Sequence, residues 1–348
     1  MSNNASSSNS NNGPKGVIRN SLQDGYRLFS NKFNSCSIDT ILECFLFVYN
    51  HTSFPFPKYV DPVSGARVSI SDIPDIDESY LGHCIEFILH QRVHNTPGNA
   101  AQWKQLNLAR DFVARKFGIC DTGNAPRASI DIHRMMNTIA DSIYENVHID
   151  IHRLHYTIGE CNACNKAERD VHCKTLSSVT TMIEATNERH SMHGNKLFPY
   201  TQGHGVLWMA YKLLLSNVNH SAHDSCKFCK VTSIHFPEVL IVNGLVLSIP
   251  HRPGDAWMKT VEKLESGIHY KLIAMGYHVT TAREKVLHYA ADVVDPMLND
   301  EHTAWFFADD IKERGIHHAG GISSMEEIPI EREGYTNMSV AVAIYIRI

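Results

Sequence analysis

Two pairs of cysteines carry the clearest chemical signal in this sequence. Cys161-Asn162-Ala163-Cys164 and Cys226-Lys227-Phe228-Cys229 each have the CxxC spacing that presents two thiolates from one tight turn. Brought together, two such turns make the closed tetrahedral sulfur shell of a structural zinc site, with no position left open for water. The long insertion between them needs a sizeable loop, and the Asn/Gly/His-rich residues 187–205 suit it. A redox role is the rival, but it needs only one motif and a βαβ context that neither pair shows. Cys173, preceded by His172, is a possible substitute ligand and more simply a bystander.

A second set of reactive residues is scattered. Cys36 follows the small polar turn Asn34-Ser35 and precedes an apolar run in which Ile38, Ile41, Leu42, Phe45, Leu46 and Tyr49 can share one broad helical face. A cysteine at a helix start meets unpaired N–H groups and the positive end of the dipole, which favour its thiolate. A buried hydrophobic cysteine is the plainer reading. A nucleophile would need a base and an orienting carboxylate. His288-Tyr289 opens a strand-like segment, and Trp305-Phe306-Phe307-Ala308 leads to Asp309-Asp310, so a histidine and an aspartate from neighbouring strands can meet. Alone, His288 is one of 22 histidines and Asp309-Asp310 an ordinary turn.

The elements that must position these groups divide the chain into a helical front and a strand-rich remainder, an α+β pattern. Residues 1–14 are Ser/Asn/Gly-rich and read as a disordered tail. After the Cys36 helix come a Pro-punctuated loop and an acidic linker containing Asp72, Asp75, Asp77 and Glu78. Three amphipathic helices then follow, through Cys84–Val93, Leu106–Phe117 and Met135–Val147. Strands are expected over His152–Ile158, Thr175–Ile183, Val239–Val242, Tyr270–Met275, His288–Val294 and Val340–Arg347.

Composition narrows the classes. The chain has 348 residues, 43% hydrophobic and 20% charged, enough for a large core. A net charge of -5 offers no basic stripe, which argues against nucleic acid as a partner. No apolar run is long enough for a membrane helix. The first residues lack the pattern of a secretory signal, and nine cysteines in a reducing compartment suit metal binding or catalysis better than disulfides.

In order along the chain, these pieces resemble the ubiquitin-specific proteases. Asn34-Ser35-Cys36 resembles the family's Asn-Thr-Cys box, with Asp39-Thr40 and Leu42-Glu43 where it carries Asn-Ser and Leu-Gln. The two CxxC pairs resemble the knuckles of its fingers. Phe236-Pro237-Glu238-Val239-Leu240 resembles the strand after the second knuckle. Tyr270–Ala274, His278 and His288-Tyr289 resemble its histidine box, Trp305 with Asp309-Asp310 its aspartate stretch, and Ala343–Arg347 its closing strand. The departures are Asn31-Lys32-Phe33 in place of a Gly-rich lead, Leu287 in place of glycine, and Asn243-Gly244-Leu245-Val246 in place of Leu-Lys-Arg-Phe.

The resemblance implies a papain-like cysteine peptidase domain over residues 15–348. It would have a helical thumb (15–150), zinc-ribbon fingers (151–235) and a β-rich palm (236–348). It implies Cys36 as nucleophile, His288 as base, Asp309 as its orienting residue with Asp310 behind it, and Asn34 as oxyanion donor. Cys161, Cys164, Cys226 and Cys229 would hold a structural Zn2+. The implied activity is a deubiquitinase in the cytoplasm or nucleus, acting on ubiquitin or ubiquitin-like conjugates. The alternatives are a SUMO-specific isopeptidase and an inactive ubiquitin-binding scaffold.

Overall fold

The computed structural model describes residues 29, 35–51, 81–94, 100–118, 132, 135–136, 138–139, 155–172, 207, 229–248, 261–264, 267–281, 287–294, 305–308, 316–319 and 335–348. The tail at 1–14, the acidic linker and the expected strand at 175–183 lie outside them.

Three helices come first: α1 (Cys36–His51), α2 (Leu81–His94) and α3 (Ala100–Lys116). Ile132, Met135, Met136 and Ile139 are also helical and buried, at the expected third amphipathic segment. α3 stops where Gly118 takes φ +73°, its N–H donating to the Arg115 carbonyl at 2.9 Å.

Strands follow in two sheets. β1 (His155–Ile158), β2 (Arg169–His172) and β3 (Val231–His235) form an antiparallel sheet in the order β2-β1-β3. The second sheet contains β4 (Val239–Ser248), β5 (Val261–Lys263), β6 (His269–Thr281), β7 (Leu287–Val294), β8 (Trp305–Ala308), β9 (Ile316–Ala319) and β10 (Tyr335–Arg347). Its order is β4-β10-β6-β7-β8-β9, with β5 also on β6. β6 to β9 form a meander, while β10 returns to lie between β4 and β6. The link from one sheet to the other is Phe236-Pro237-Glu238. It is held by the Tyr270 hydroxyl donating to the Pro237 carbonyl at 2.5 Å and by Arg347 Nη1 donating to the Phe236 carbonyl at 2.8 Å. β2, β3, β5 and β9 were not anticipated from the sequence. β3 is short and mostly polar on its open face, so its pattern is weak.

α1 departs from its expected single apolar face. Every residue from Ser35 to Val48 is buried, including Ser37, Asp39, Thr40 and Glu43. The reason is position: α1 packs on β6 and β7 on one side and on α2 on the other, and α2 in turn packs on α3. A helix enclosed in this way must partner its polar groups internally.

Gly276, on β6, permits the close seat of α1 on the sheet. A Cβ there would meet Val342 Cγ1 at 2.7 Å and Thr40 Cγ2 at 3.3 Å. Val342 is β-branched on a central strand and cannot swing aside. Gly276→Ala is therefore expected to cost about 1–3 kcal/mol, read as a lower midpoint in urea unfolding. An unchanged midpoint would mean that α1 and β10 can shift to admit the methyl group.

Candidate functional site

Cys36 opens α1 and His288 is the second residue of β7, and this helix and this strand pack on each other. Cys36 is 6% exposed and His288 1%. His288 pairs with Val279 across β6, and Tyr289 with His278, whose ring lies 5.2 Å from the tyrosine ring. β8 ends at Ala308, paired with Ala291. Asp309, Asp310 and Asn34 lie outside the described residues.

Cys36 sits differently from the other thiols of the helical layer. Burial, and after it the charges of Glu43 and Asp292, pushes the Cys44 thiol far up; burial pushes Cys84 up to about 12. Both are inert at neutral pH, since the thiolate is the nucleophile. Cys36 has the first-turn N–H groups of α1 around it, which have no intrahelical acceptor.

The same first turn contains a carboxylate, and its surroundings are a feature that sequence reasoning missed. Asp39 accepts a hydrogen bond from Ser35 Oγ at 2.9 Å, and its own N–H donates to the Ser35 carbonyl at 3.0 Å. Arg110 Nε, from α3, lies 3.8 Å from Asp39 Oδ1 and 3.5 Å from Asp111 Oδ1. One turn further on, Glu43 meets Arg92 of α2 at 2.8 Å. The Arg92 and Arg110 guanidiniums stand 5.5 Å and 5.3 Å from the centre of the Phe29 ring, which also meets Trp103 edge-on at 6.0 Å. Asp39, Glu43, Arg92 and Arg110 are buried, while the Asp111 side chain is largely open to solvent. The signal for this network was present: two carboxylates in an apolar helix, and arginines within two other helical patterns.

Burial first, and then Asp39, raises Glu43 above its ordinary 4.5, and burial lowers Arg92 to about 9. Each partner resists the charge that the other stabilises. Removing one partner of such a pair costs about 3–5 kcal/mol. Arg92→Met is expected to show this loss at pH 7 and to regain stability on acidification. With its folded value raised, Glu43 stabilises the protonated fold below the unfolded value, and that contribution is lost as pH rises. Thermal unfolding from pH 4.5 to 8 checks it; a flat profile for the variant relative to the native chain would overturn it.

The cysteine knuckle lies at one end of the three-stranded sheet. Cys161 to Lys166 turn back on themselves, with Cys161 N–H donating to the Lys166 carbonyl at 2.9 Å and Lys166 N–H to the Cys161 carbonyl at 3.2 Å. Asn165 takes φ 58°, which asparagine tolerates. Cys229 arrives just before β3, beside the end of β1, where Gly159 N–H donates to the Lys230 carbonyl at 3.0 Å. The sulfurs of Cys161, Cys164 and Cys229 lie within 4.8 Å of one another, and Cys164 Sγ is 3.6 Å from Cys229 Sγ. All three are free thiols. A tetrahedral zinc with Zn–S bonds of about 2.3 Å sets its sulfurs about 3.8 Å apart, so this group fits a metal ion. Cys226, the expected fourth ligand, and Cys173 lie outside the described residues. Cys164→Ser is expected to remove the ion and to speed amide exchange in β1 and β3. Zinc content and hydrogen exchange measure both, and unchanged protection without metal would show that the sheet stands alone.

No family model matches the sequence, and no curated protein sequence does. Solved structures match in fold. The Saccharomyces cerevisiae Pan2 pseudoubiquitin hydrolase-RNA exonuclease module aligns over 94% of this chain and 56% of that chain, with 10% identity and a TM-score of 0.52. The SAGA Ubp8/Sgf11/Sus1/Sgf73 DUB module bound to ubiquitin aldehyde aligns over 94% of this chain and 70% of that chain, with 14% identity and a TM-score of 0.45. The likeness to the Pan2 module assigns a ubiquitin hydrolase-like fold of mixed helix and sheet.

Proposed function

We propose that this chain is a thiol-dependent hydrolase that cleaves after the C-terminal glycine of ubiquitin or a ubiquitin-like modifier. The observation that carries the reading is the packing of the helix that Cys36 opens against the strand that bears buried His288, within a ubiquitin hydrolase-like fold.

In this reading His288 takes the proton of Cys36, and the thiolate attacks the carbonyl of the modifier's last glycine. The oxyanion that forms is met by Asn34 and by N–H groups at the start of α1. Collapse to the thioester expels the lysine amine, protonated by His288, which then activates water to release the acid. Asp309 orients the imidazole. A narrow channel selects an extended Gly-Gly tail, where any side chain would clash. The Cys161, Cys164, Cys226 and Cys229 knuckles hold a structural zinc ion and carry a fingers lobe that grips the modifier. Partners are modifier conjugates and neither nucleic acid nor membrane, and the chain works in the cytoplasm or nucleus.

A second reading is a scaffold that binds a modifier without cleaving it. It is supported by the Pan2 module, named a pseudoubiquitin hydrolase, and by the depth at which Cys36 and His288 lie.

Probes built on ubiquitin and on SUMO with a reactive C-terminus separate these readings. Hydrolase activity requires an adduct on Cys36 that disappears in His288→Ala and Asp309→Asn. Asn34→Ala is expected to lower turnover on the order of a hundredfold. The probe that reacts names the modifier. Binding to a modifier with no adduct on either probe would establish the scaffold and overturn the hydrolase.

A further inference from the structure

The end of the three-stranded sheet away from the cysteine knuckle places three histidines in one row. β1 pairs with β2 at His155↔His172 and with β3 at His155↔His235, so the same register position is histidine on all three strands. These positions belong to one face. Tyr156 and Ile158, on the alternate face of β1, pack into the apolar clusters. The face with His155 carries a second row two residues along, Asp170, Thr157 and Ser233. There Thr157 Oγ1 donates to Asp170 Oδ1 at 2.8 Å and Ser233 Oγ donates to Thr157 Oγ1 at 2.9 Å. His235 is exposed and His155 half-buried.

We propose that His155 and His235, with His172 at the same register position on β2, mark a binding site for a divalent, imidazole-preferring metal ion of the Zn2+ class, separate from the cysteine knuckle. Residues directly opposite on adjacent strands hold their Cβ atoms about 4.5–5.5 Å apart. The imidazoles of His155 and His235, on adjacent strands, are thus within reach of a common ion. The His155 and His235 rings stand 6.2 Å apart at 79°. Two imidazoles on one tetrahedral ion with bonds of about 2.0–2.1 Å would have centres about 5 Å apart, which a small side-chain rotation of either ring reaches. Three neutral imidazoles suit zinc, nickel or copper and leave one coordination position for water or a carboxylate. Sheet packing already fixes the three backbones, so the site asks for little ordering when an ion arrives. The proposal does not depend on the hydrolase reading.

Equilibrium dialysis of the full chain against Zn2+ tests it, with bound metal counted by mass spectrometry. His155→Asn and His235→Asn are each expected to lose one zinc ion per chain. His269→Asn, an exposed histidine on β6, is expected to lose none. Loaded with Co2+, the native chain is expected to show a nitrogen-ligand visible band that both row variants lack, while the thiolate-to-cobalt charge transfer of the knuckle is unchanged. Melting curves of both variants near that of the native chain exclude misfolding as the cause. Equal zinc counts in the native chain and both row variants would overturn the proposal, as would an equal loss in His269→Asn.

Discussion

Two carboxylates enclosed on one helix set the terms for the helical layer. Asp39 and Glu43 project from α1 into an interior where an unpaired charge is very costly. The solution is two guanidiniums, Arg110 and Arg92, delivered by two other helices and stacked on the Phe29 ring. Charge pairing of this kind is a poor source of net stability, because desolvation consumes most of the attraction. Its effect is selective. α2 and α3 have few alternative docking registers that leave no buried charge unpartnered. The start of α1, and so the backbone on either side of Cys36, is held in place by the same contacts. The far end of the helix is held through the Tyr49 hydroxyl, which donates to Glu86 Oε1 and meets His90 Nδ1, each at 3.0 Å.

The smaller sheet poses a different problem. Three short strands bury few apolar side chains of their own; Ile158, Cys161 and Cys229 form a small buried cluster against which the half-buried Tyr156, Cys164 and Val231 pack. A metal ion held by these thiols would stabilise such a sheet, because a site that exists only in the folded chain turns binding free energy into folding free energy. The knuckle closes β1 onto β3 at the end where the register shifts between Thr157 and Ile158. Gly159 marks the closeness of this approach: a Cβ there would lie 2.5 Å from Thr232 Cγ2.

Features with strong local signatures could be read in the sequence. The apolar stripes of α2 and α3, the β-branched runs of β4, β6, β7 and β10, and the CxxC turn at Cys161 all follow from spacing and residue type. Three of the four expected zinc ligands come together. Features that depend on partners distant in sequence were less legible. Whether a carboxylate in an apolar helix faces water or a guanidinium is decided by helices elsewhere in the chain. The helical periodicity of α1 suggested one apolar face, although the sheet and α2 together enclose it on all sides. β3 and β9 draw their order from the strands they pair with and not from their own composition. The histidine row is invisible in sequence because it exists only across strand registers.

β10 has a consequence for how the molecule is made. It is translated after every other strand described, yet it lies inside the larger sheet, second from its edge, paired along its whole length with β6 and over its second half with β4. Until residues 335–347 emerge, β4 and β6 present unsatisfied edges to each other across a gap one strand wide. The seat for α1 is incomplete as well, since Val342 forms part of it. A chain that lacks β10 would therefore leave the seat of α1 on β6 without its Val342 neighbour. The packing around α1 is thus completed only once β10 is in place. The exposed edges of that interval are also where a chaperone, or a second unfinished copy, would bind first.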